Sequence, residues 1–182
     1  MTLVELIRPA LTAGRRLAPL VVAAATVSLG PAGATAADGA PVGRSYVVMM
    51  TQPQIASGTA RHLVPPLVDA LDRAGLKNAK GPTAEWVVSL EKSADDGTWL
   101  GSGESRRWRH TATVSVAFAP NRGFPRAPDV PTFTVDARVV TADPDRPDEF
   151  RCLVDLAVKT AMSRWRPAGR IEVRGTECER GE

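Results

Sequence analysis

Aromatic residues are scarce in this sequence, and histidine and cysteine are scarcer still. Its 182 residues include four Trp, four Phe, one Tyr, two His and two Cys. Two histidines on separate segments, with no cysteine pair near either, argue against a zinc site, and no other cofactor is expected. No apolar run reaches about 18 residues, which argues against a membrane-spanning helix. A hydrophobic fraction of 43% with a charged fraction of 24% is typical of a single globular domain.

Residues 1–36 have the pattern of a signal peptide. Three arginines and one glutamate precede an apolar stretch from Leu17 to Leu29, and an Ala-Thr-Ala site ends at Ala36. A basic segment, a short apolar segment and small residues before the cut are the parts of a secretory signal. We expect cleavage near Ala36, a flexible spacer over residues 37–44, and one periplasmic or secreted domain over residues 45–182. No cysteine lies directly after the apolar stretch, so no lipid anchor is expected.

The charge balance of the mature chain excludes a broad electrostatic surface. Without residues 1–36 the chain carries 20 basic and 19 acidic residues. It also lacks a cluster of four to eight Lys or Arg, the usual feature of nucleic-acid or anionic-lipid binding. We therefore expect no nucleic-acid partner.

Alternating and helical periodicities predict an α+β domain. Apolar residues alternate with polar ones, or run continuously, in five segments that we predict as strands: Tyr46–Met50, Glu85–Lys92, Arg107–Phe118, Thr132–Val139 and Arg170–Arg174. Two segments with helical spacing lie near residues 60–74 and 147–165. The prediction is a two-layer sandwich, with about five mainly antiparallel strands and two helices on one face.

The two cysteines predict a structural disulfide. Cys152 falls outside the apolar stripe of the second helix, beside Leu156. That helix descends about 20 Å from Cys152 at 1.5 Å per residue, and the tail after Arg170 climbs about 26 Å at roughly 3.3 Å per residue. Cys178 therefore reaches back to Cys152. An exported protein enters an oxidising compartment, where such a pair is normally bridged.

Two segments contain candidate contact residues for a partner. Residues 93–106 place Trp99 and Leu100 among glycine and polar residues, where an exposed aromatic side chain would anchor a partner. The alternative, which the small number of aromatics favours, is that Trp99 folds back over the open end of the core. The second segment, residues 120–131, has four prolines. It carries the contact candidates Arg122, Phe124 and Arg126, and Phe124 is equally suited to cap the core.

Catalytic chemistry has weak support in the sequence. Ser102 or Ser105, His110 and Asp143 can be combined on paper as a hydrolase triad, but such triples arise by chance in many domains. The alternating pattern around His110 favours a core position for this residue. Arg107 and Arg109 alternate with an inward Trp108, which favours a solvated strand face.

One stretch resembles a known group of proteins. Residues 63–76, followed by Ala84-Glu85-Trp86-Val87-Val88, resemble small bacterial envelope domains of unknown function. In those domains a strand precedes a helix that ends in Leu-x-x-x-Gly-aromatic, and the next strand opens with Ala-Asp. The resemblance implies an envelope protein and supplies no catalytic residue.

The leading hypothesis is a non-catalytic binding or accessory module that contacts an envelope protein or another envelope component. A small-molecule carrier is the first alternative, and it requires a cavity that the core does not fill. A hydrolase acting through residues 93–106 is the second. The sequence leaves the partner and the oligomeric state open.

Overall fold

A computed structural model describes residues 39–122 and 130–179 of the protein. These residues form seven strands and three α helices in the order β1 (Ser45–Met49), α1 (Gln52–Ala56), α2 (Ala60–Arg73), β2 (Lys77–Asn78), β3 (Trp86–Ala94), β4 (Thr98–Leu100), β5 (Arg107–Pro120), β6 (Phe133–Thr141), α3 (Pro147–Ser163) and β7 (Gly169–Arg174). Short 3-10 turns lie at Gly81–Thr83, Gly103–Ser105 and Thr176–Cys178.

The sheet is mixed and has the strand order β2-β1-β3-β5-β6-β7, with β4 paired to β5. Strand β1 is parallel to β2 and β3, and β6 is parallel to β7, whereas β5 is antiparallel to each of its partners. The α+β class is confirmed, but the expectation of about five mainly antiparallel strands is wrong. A helical crossover joins β1 to β3 and β6 to β7, and such crossovers make paired strands parallel. Strands β2 and β4 are too short to give a periodic signal.

Helices α2 and α3 pack against each other and against one face of the sheet. The core contains Leu67 and Leu71 from α2, Leu153 and Ala157 from α3, and the inward residues of β3, β5 and β6. Tyr46 of β1 donates a hydrogen bond to Asp72 Oδ1 over 3.0 Å. Burial and this bond both raise the pKa of Tyr46. The third helix, α1, has five residues and lies in a segment where no helix was predicted.

Two prolines lie inside α2 without ending it. The helix begins at Ala60, ahead of Pro65 and Pro66, and agrees with the helical spacing predicted near residues 60–74. A proline has no N–H to donate, so these two leave the carbonyls of Arg61 and His62 without their usual helix partners. Arg61 and His62 are both exposed, so water can solvate their carbonyls.

The disulfide between Cys152 and Cys178 is confirmed, with a Cα–Cα distance of 5.6 Å. The tail approaches α3 closely at Gly175. A Cβ atom at Gly175 would lie 2.9 Å from Leu153 Cδ2 and 3.3 Å from Leu156 Cδ2. The tail therefore covers the outer side of α3 beside the bridge, as the position of Cys152 and Leu156 predicted.

The opposite face of the sheet holds a buried carboxylate. Asp136 of β6 is 2% exposed. Asp136 accepts a hydrogen bond from Ser115 Oγ at 2.7 Å, and it forms an ion pair with Arg170 Nε at 3.1 Å. These two bonds connect β5, β6 and β7 across a face that the alternation pattern marks as outward.

Candidate functional site

A hairpin arm extends the sheet at the end where β3 stops and β5 begins. After Ala94 the chain turns through residues 95–97 and resumes as β4, whose Thr98, Trp99 and Leu100 pair with Arg109, Trp108 and Arg107. Strand β6 pairs with β5 only as far as His110. Residues 95–109, which we call the arm, therefore project past the end of β6. Residues 93–106, for which no strand was predicted, therefore include strand β4.

Asp95 stabilises the turn at the base of the arm. Its carboxylate Oδ1 accepts hydrogen bonds from the backbone N–H groups of Thr111, at 2.8 Å, and Gly97, at 3.1 Å. These bonds favour the ionised carboxylate and hold the pKa of Asp95 below its usual range. The bond from Thr111 has the larger effect, and the bond from Gly97 adds to it. The backbone carbonyl of Asp95 accepts a bond from His110 Nδ1 at 3.1 Å. The turn is therefore tied to β5 at two adjacent residues.

Gly97 lies directly against the aromatic residues of the arm. Its φ is +86°, in the left-handed region that favours glycine. A Cβ atom here would lie 2.5 Å from Trp108 Nε1 and 2.9 Å from His110 Cε1. No side chain fits this position unless the Trp108 ring moves.

We expect Gly97→Ala to displace Trp108 while the domain stays folded. The added methyl group clashes with both rings and also strains the backbone. Near-ultraviolet circular dichroism should lose its Trp108 contribution, and the melting temperature should fall by a few degrees, consistent with a cost of roughly 1–3 kcal/mol. An unchanged aromatic spectrum in the variant would contradict this placement of the ring.

Two tryptophans form an exposed pair on the arm. The Trp99 and Trp108 rings meet edge to face, with centroids 5.4 Å apart, and the guanidinium of Arg106 lies 5.1 Å from the Trp99 ring centre. Trp99 is 53% exposed, Trp108 41% and Leu100 45%. The tryptophans lie on one face of the arm and Leu100 on the other, because side chains alternate along a strand. The arm therefore presents apolar groups on both faces.

The structure separates the two predicted contact segments. Trp99 does not cover the core; it stands on the arm beside Trp108, which the alternation pattern had placed inward. Arg122 is exposed beyond the far end of β5, and that strand is itself about 43 Å long at roughly 3.3 Å per residue. Phe124 and Arg126 lie outside the described residues. Trp99 therefore shares a surface with Trp108 and Arg106, Leu100 lies on the other face of the same arm, and Arg122 is remote from both.

In the part of the chain that the structure describes, the serine, His110 and Asp143 do not form the hydrolase triad considered from the sequence. Ser105 donates its hydroxyl proton to the Ser102 carbonyl over 2.6 Å, within the turn at the tip of the arm. His110 bonds to the Asp95 carbonyl instead of a serine. Asp143 Oδ1 accepts the backbone N–H of Asp145 at 2.9 Å. Each candidate group therefore takes part in a local turn.

Residues 39–122 and 130–179 contain neither a cluster of metal ligands nor a membrane-spanning helix. No three His, Cys, Asp or Glu side chains there come together as a metal site. None of the helices in these ranges is long and apolar enough to cross a bilayer.

This chain has a weak likeness to known proteins at the level of solved structures. No family model and no curated protein sequence matches this chain. Among solved structures, the chain is similar to a minor lipoprotein from Acinetobacter baumannii, with a TM-score of 0.39 and 12% sequence identity. The similarity covers 67% of this chain and 91% of that one. The candidate surface is therefore defined by this chain's own residues, with the exposed Trp99–Trp108 pair at its centre.

Proposed function

We propose that the protein is an exported, non-catalytic binding module of the bacterial cell envelope, and that it holds a protein partner with the arm. The observation that carries this proposal is the exposed Trp99–Trp108 pair, with Arg106 stacked on it. Tryptophan and arginine are the residues most enriched among the energetic centres of protein interfaces. A surface that exposes two tryptophans and an arginine together is consistent with such a centre.

The arm is ordered before any partner binds. The Asp95 bonds close its base, β4 pairs with β5 along its length, and Arg106 and Trp108 hold the Trp99 ring from two sides. A preorganised contact surface loses little conformational entropy on binding, so more of the contact energy appears as affinity. This order favours a dedicated contact surface over a loop that is exposed by chance.

Two features support a location outside the cytoplasm. Residues 1–36 have the composition of a secretory signal. The Cys152–Cys178 bridge suits an oxidising compartment, where disulfides form and persist. An envelope location also agrees with the resemblance of residues 63–76 to small envelope domains.

We expect Trp99→Ala and Trp108→Ala each to remove one dominant crosslinked partner. Truncating a central interface residue typically costs 2 kcal/mol or more, which is roughly a 30-fold loss of affinity. The measurement is in-cell crosslinking of the tagged protein in its own host, followed by mass spectrometry. Both side chains are about half exposed, so the variants should remain folded, which a melting curve verifies.

Val42→Ala is the matched control for this experiment. Val42 is 55% exposed, like Trp99, but it precedes β1 and so lies at the end of the sheet opposite the arm. The control should keep the partner. If the wild-type protein and all three variants crosslink to the same proteins in equal yield, the arm is not the binding surface. If the tryptophan variants lose only lipid or glycan adducts, the partner is not a protein.

A further inference from the structure

A cavity separate from the arm lies where α2, α3 and β3 come together. Its volume is about 460 Å³, and its lining includes the early residues of both helices together with Lys92 of β3. Small-molecule sites typically occupy roughly 300–1,000 Å³ and combine apolar walls with a few polar groups. Leu63, Pro66 and Phe150 contribute apolar walls here. The cavity therefore has the size and wall chemistry of a ligand site.

The charges around this cavity are mainly positive. Arg61, Lys92 and Arg151 line it, and Asp145 is the only acidic residue in its lining within the described ranges. Lys92 lies where the charged lining meets the apolar walls, because its ammonium group is 5.9 Å from the centre of the Phe150 ring. Its side chain is only 25% exposed. A partly desolvated cation beside apolar walls favours an anion that is attached to an apolar group.

Asp145 fills the place that such an anion would take. Its Oδ1 lies 2.8 Å from Lys92 Nζ, yet the Asp145 side chain is 88% exposed. The Lys92 contact holds the pKa of Asp145 below its usual range, so this carboxylate is ionised at neutral pH. Because the Asp145 side of this pair stays exposed to water, the pair contributes little stability, and an incoming anion can displace Asp145 from Lys92 at small cost.

We infer that this cavity binds an amphiphilic anion, a carboxylate or phosphate group on a short apolar chain. The anionic group pairs with Lys92, with Arg61 and Arg151 at the rim. The apolar chain packs along Leu63, Pro66 and Phe150. The Asp145 carboxylate competes with the ligand and lowers its affinity. This site is independent of the arm and of the partner proposed for it.

The test is isothermal titration calorimetry of the mature protein with dodecanoate and with dodecyl phosphate, each below its micellar concentration. At least one of them should bind, and comparing the two distinguishes a carboxylate ligand from a phosphate ligand. Uncharged dodecanol tests the need for the charge, and inorganic phosphate tests the need for the apolar chain. Neither should bind measurably.

Two variants of one ion pair should change affinity in opposite directions. Lys92→Gln removes the cation, and we expect binding at least tenfold weaker. Asp145→Asn removes the competing carboxylate, and we expect binding several-fold tighter. Trp99→Ala, on the arm, should bind like the wild type. Arg151→Gln, an exposed position on α3, should weaken binding several-fold and serves if Lys92→Gln does not fold.

Four results with the ligands and the cavity variants would overturn the inference. They are no binding of either amphiphile, equal binding of dodecanol, binding of inorganic phosphate as tight as that of dodecyl phosphate, and an affinity that neither Lys92→Gln nor Arg151→Gln lowers. A loss of binding in Trp99→Ala would move the ligand to the arm and would also overturn it.

Discussion

Trp165→Ala should destabilise the domain by about 3 kcal/mol, the low end of the usual cost of removing a large aromatic side chain from a core, because Trp165 is only partly buried. Trp165 follows α3 and meets three other rings edge to face: Trp86 at 5.1 Å, Phe133 at 5.2 Å and Phe118 at 5.8 Å between ring centres. These four aromatic rings form the core at the end of the sheet opposite the arm. Removing Trp165 leaves a cavity that three strands border.

The loss of stability should come from packing and not from a hydrogen bond. Trp165 Nε1 is buried and has no hydrogen-bond partner in the described part of the chain. Trp165→Phe is therefore a matched control, since it keeps an aromatic ring and removes only this unpaired N–H and some volume. We expect it to retain more than half of the stability that Trp165→Ala loses.

Thermal and urea unfolding measure this difference. At roughly 3 °C per kcal/mol for a domain of this size, Trp165→Ala should melt about 10 °C below the wild type. A shift of only 1–2 °C would show that the other three rings close over the gap. Equal losses in Trp165→Ala and Trp165→Phe would show that the indole N–H contributes more than the packing.

Removing the Cys152–Cys178 bridge should have an effect of similar size. The bridge joins residues 26 positions apart, and closing a loop of that length removes about 3.5 kcal/mol of unfolded-state entropy in the chain-entropy model. The bridge also holds the tail on α3, where Gly175 sits against Leu153 and Leu156. Cys178→Ser should therefore lower the melting temperature by about 10 °C under oxidising conditions.

A double variant separates the bridge from the side chains. The protein with both Cys152→Ser and Cys178→Ser should melt at the same temperature with and without dithiothreitol. The wild type should drop to about that temperature when it is reduced. A wild-type melting curve that dithiothreitol leaves unchanged, with full reduction shown by thiol labelling, would refute a stabilising role for the bridge.

Periodicity in the sequence determined the elements that form the core. Alternation along residues 107–118 and 132–139 predicted β5 and β6, because a strand sends successive side chains to opposite faces. Helical spacing near residues 147–165 predicted α3. The bridge followed from the same local reasoning, since the position of Cys152 on its helix required a covering segment. These features depend on neighbours in the sequence or on the reach of the chain.

Tertiary structure alone decided what is exposed and what meets at the candidate sites. Trp108 follows the inward alternation of β5, yet it is 41% exposed because its part of β5 projects beyond β6 on the arm. Asp136 lies on the outward face and is nevertheless buried. Lys92 and Asp145, far apart in the chain, meet only where β3 reaches the start of α3. Alternation specifies the face on which a side chain lies, whereas its exposure depends on which other elements reach that face.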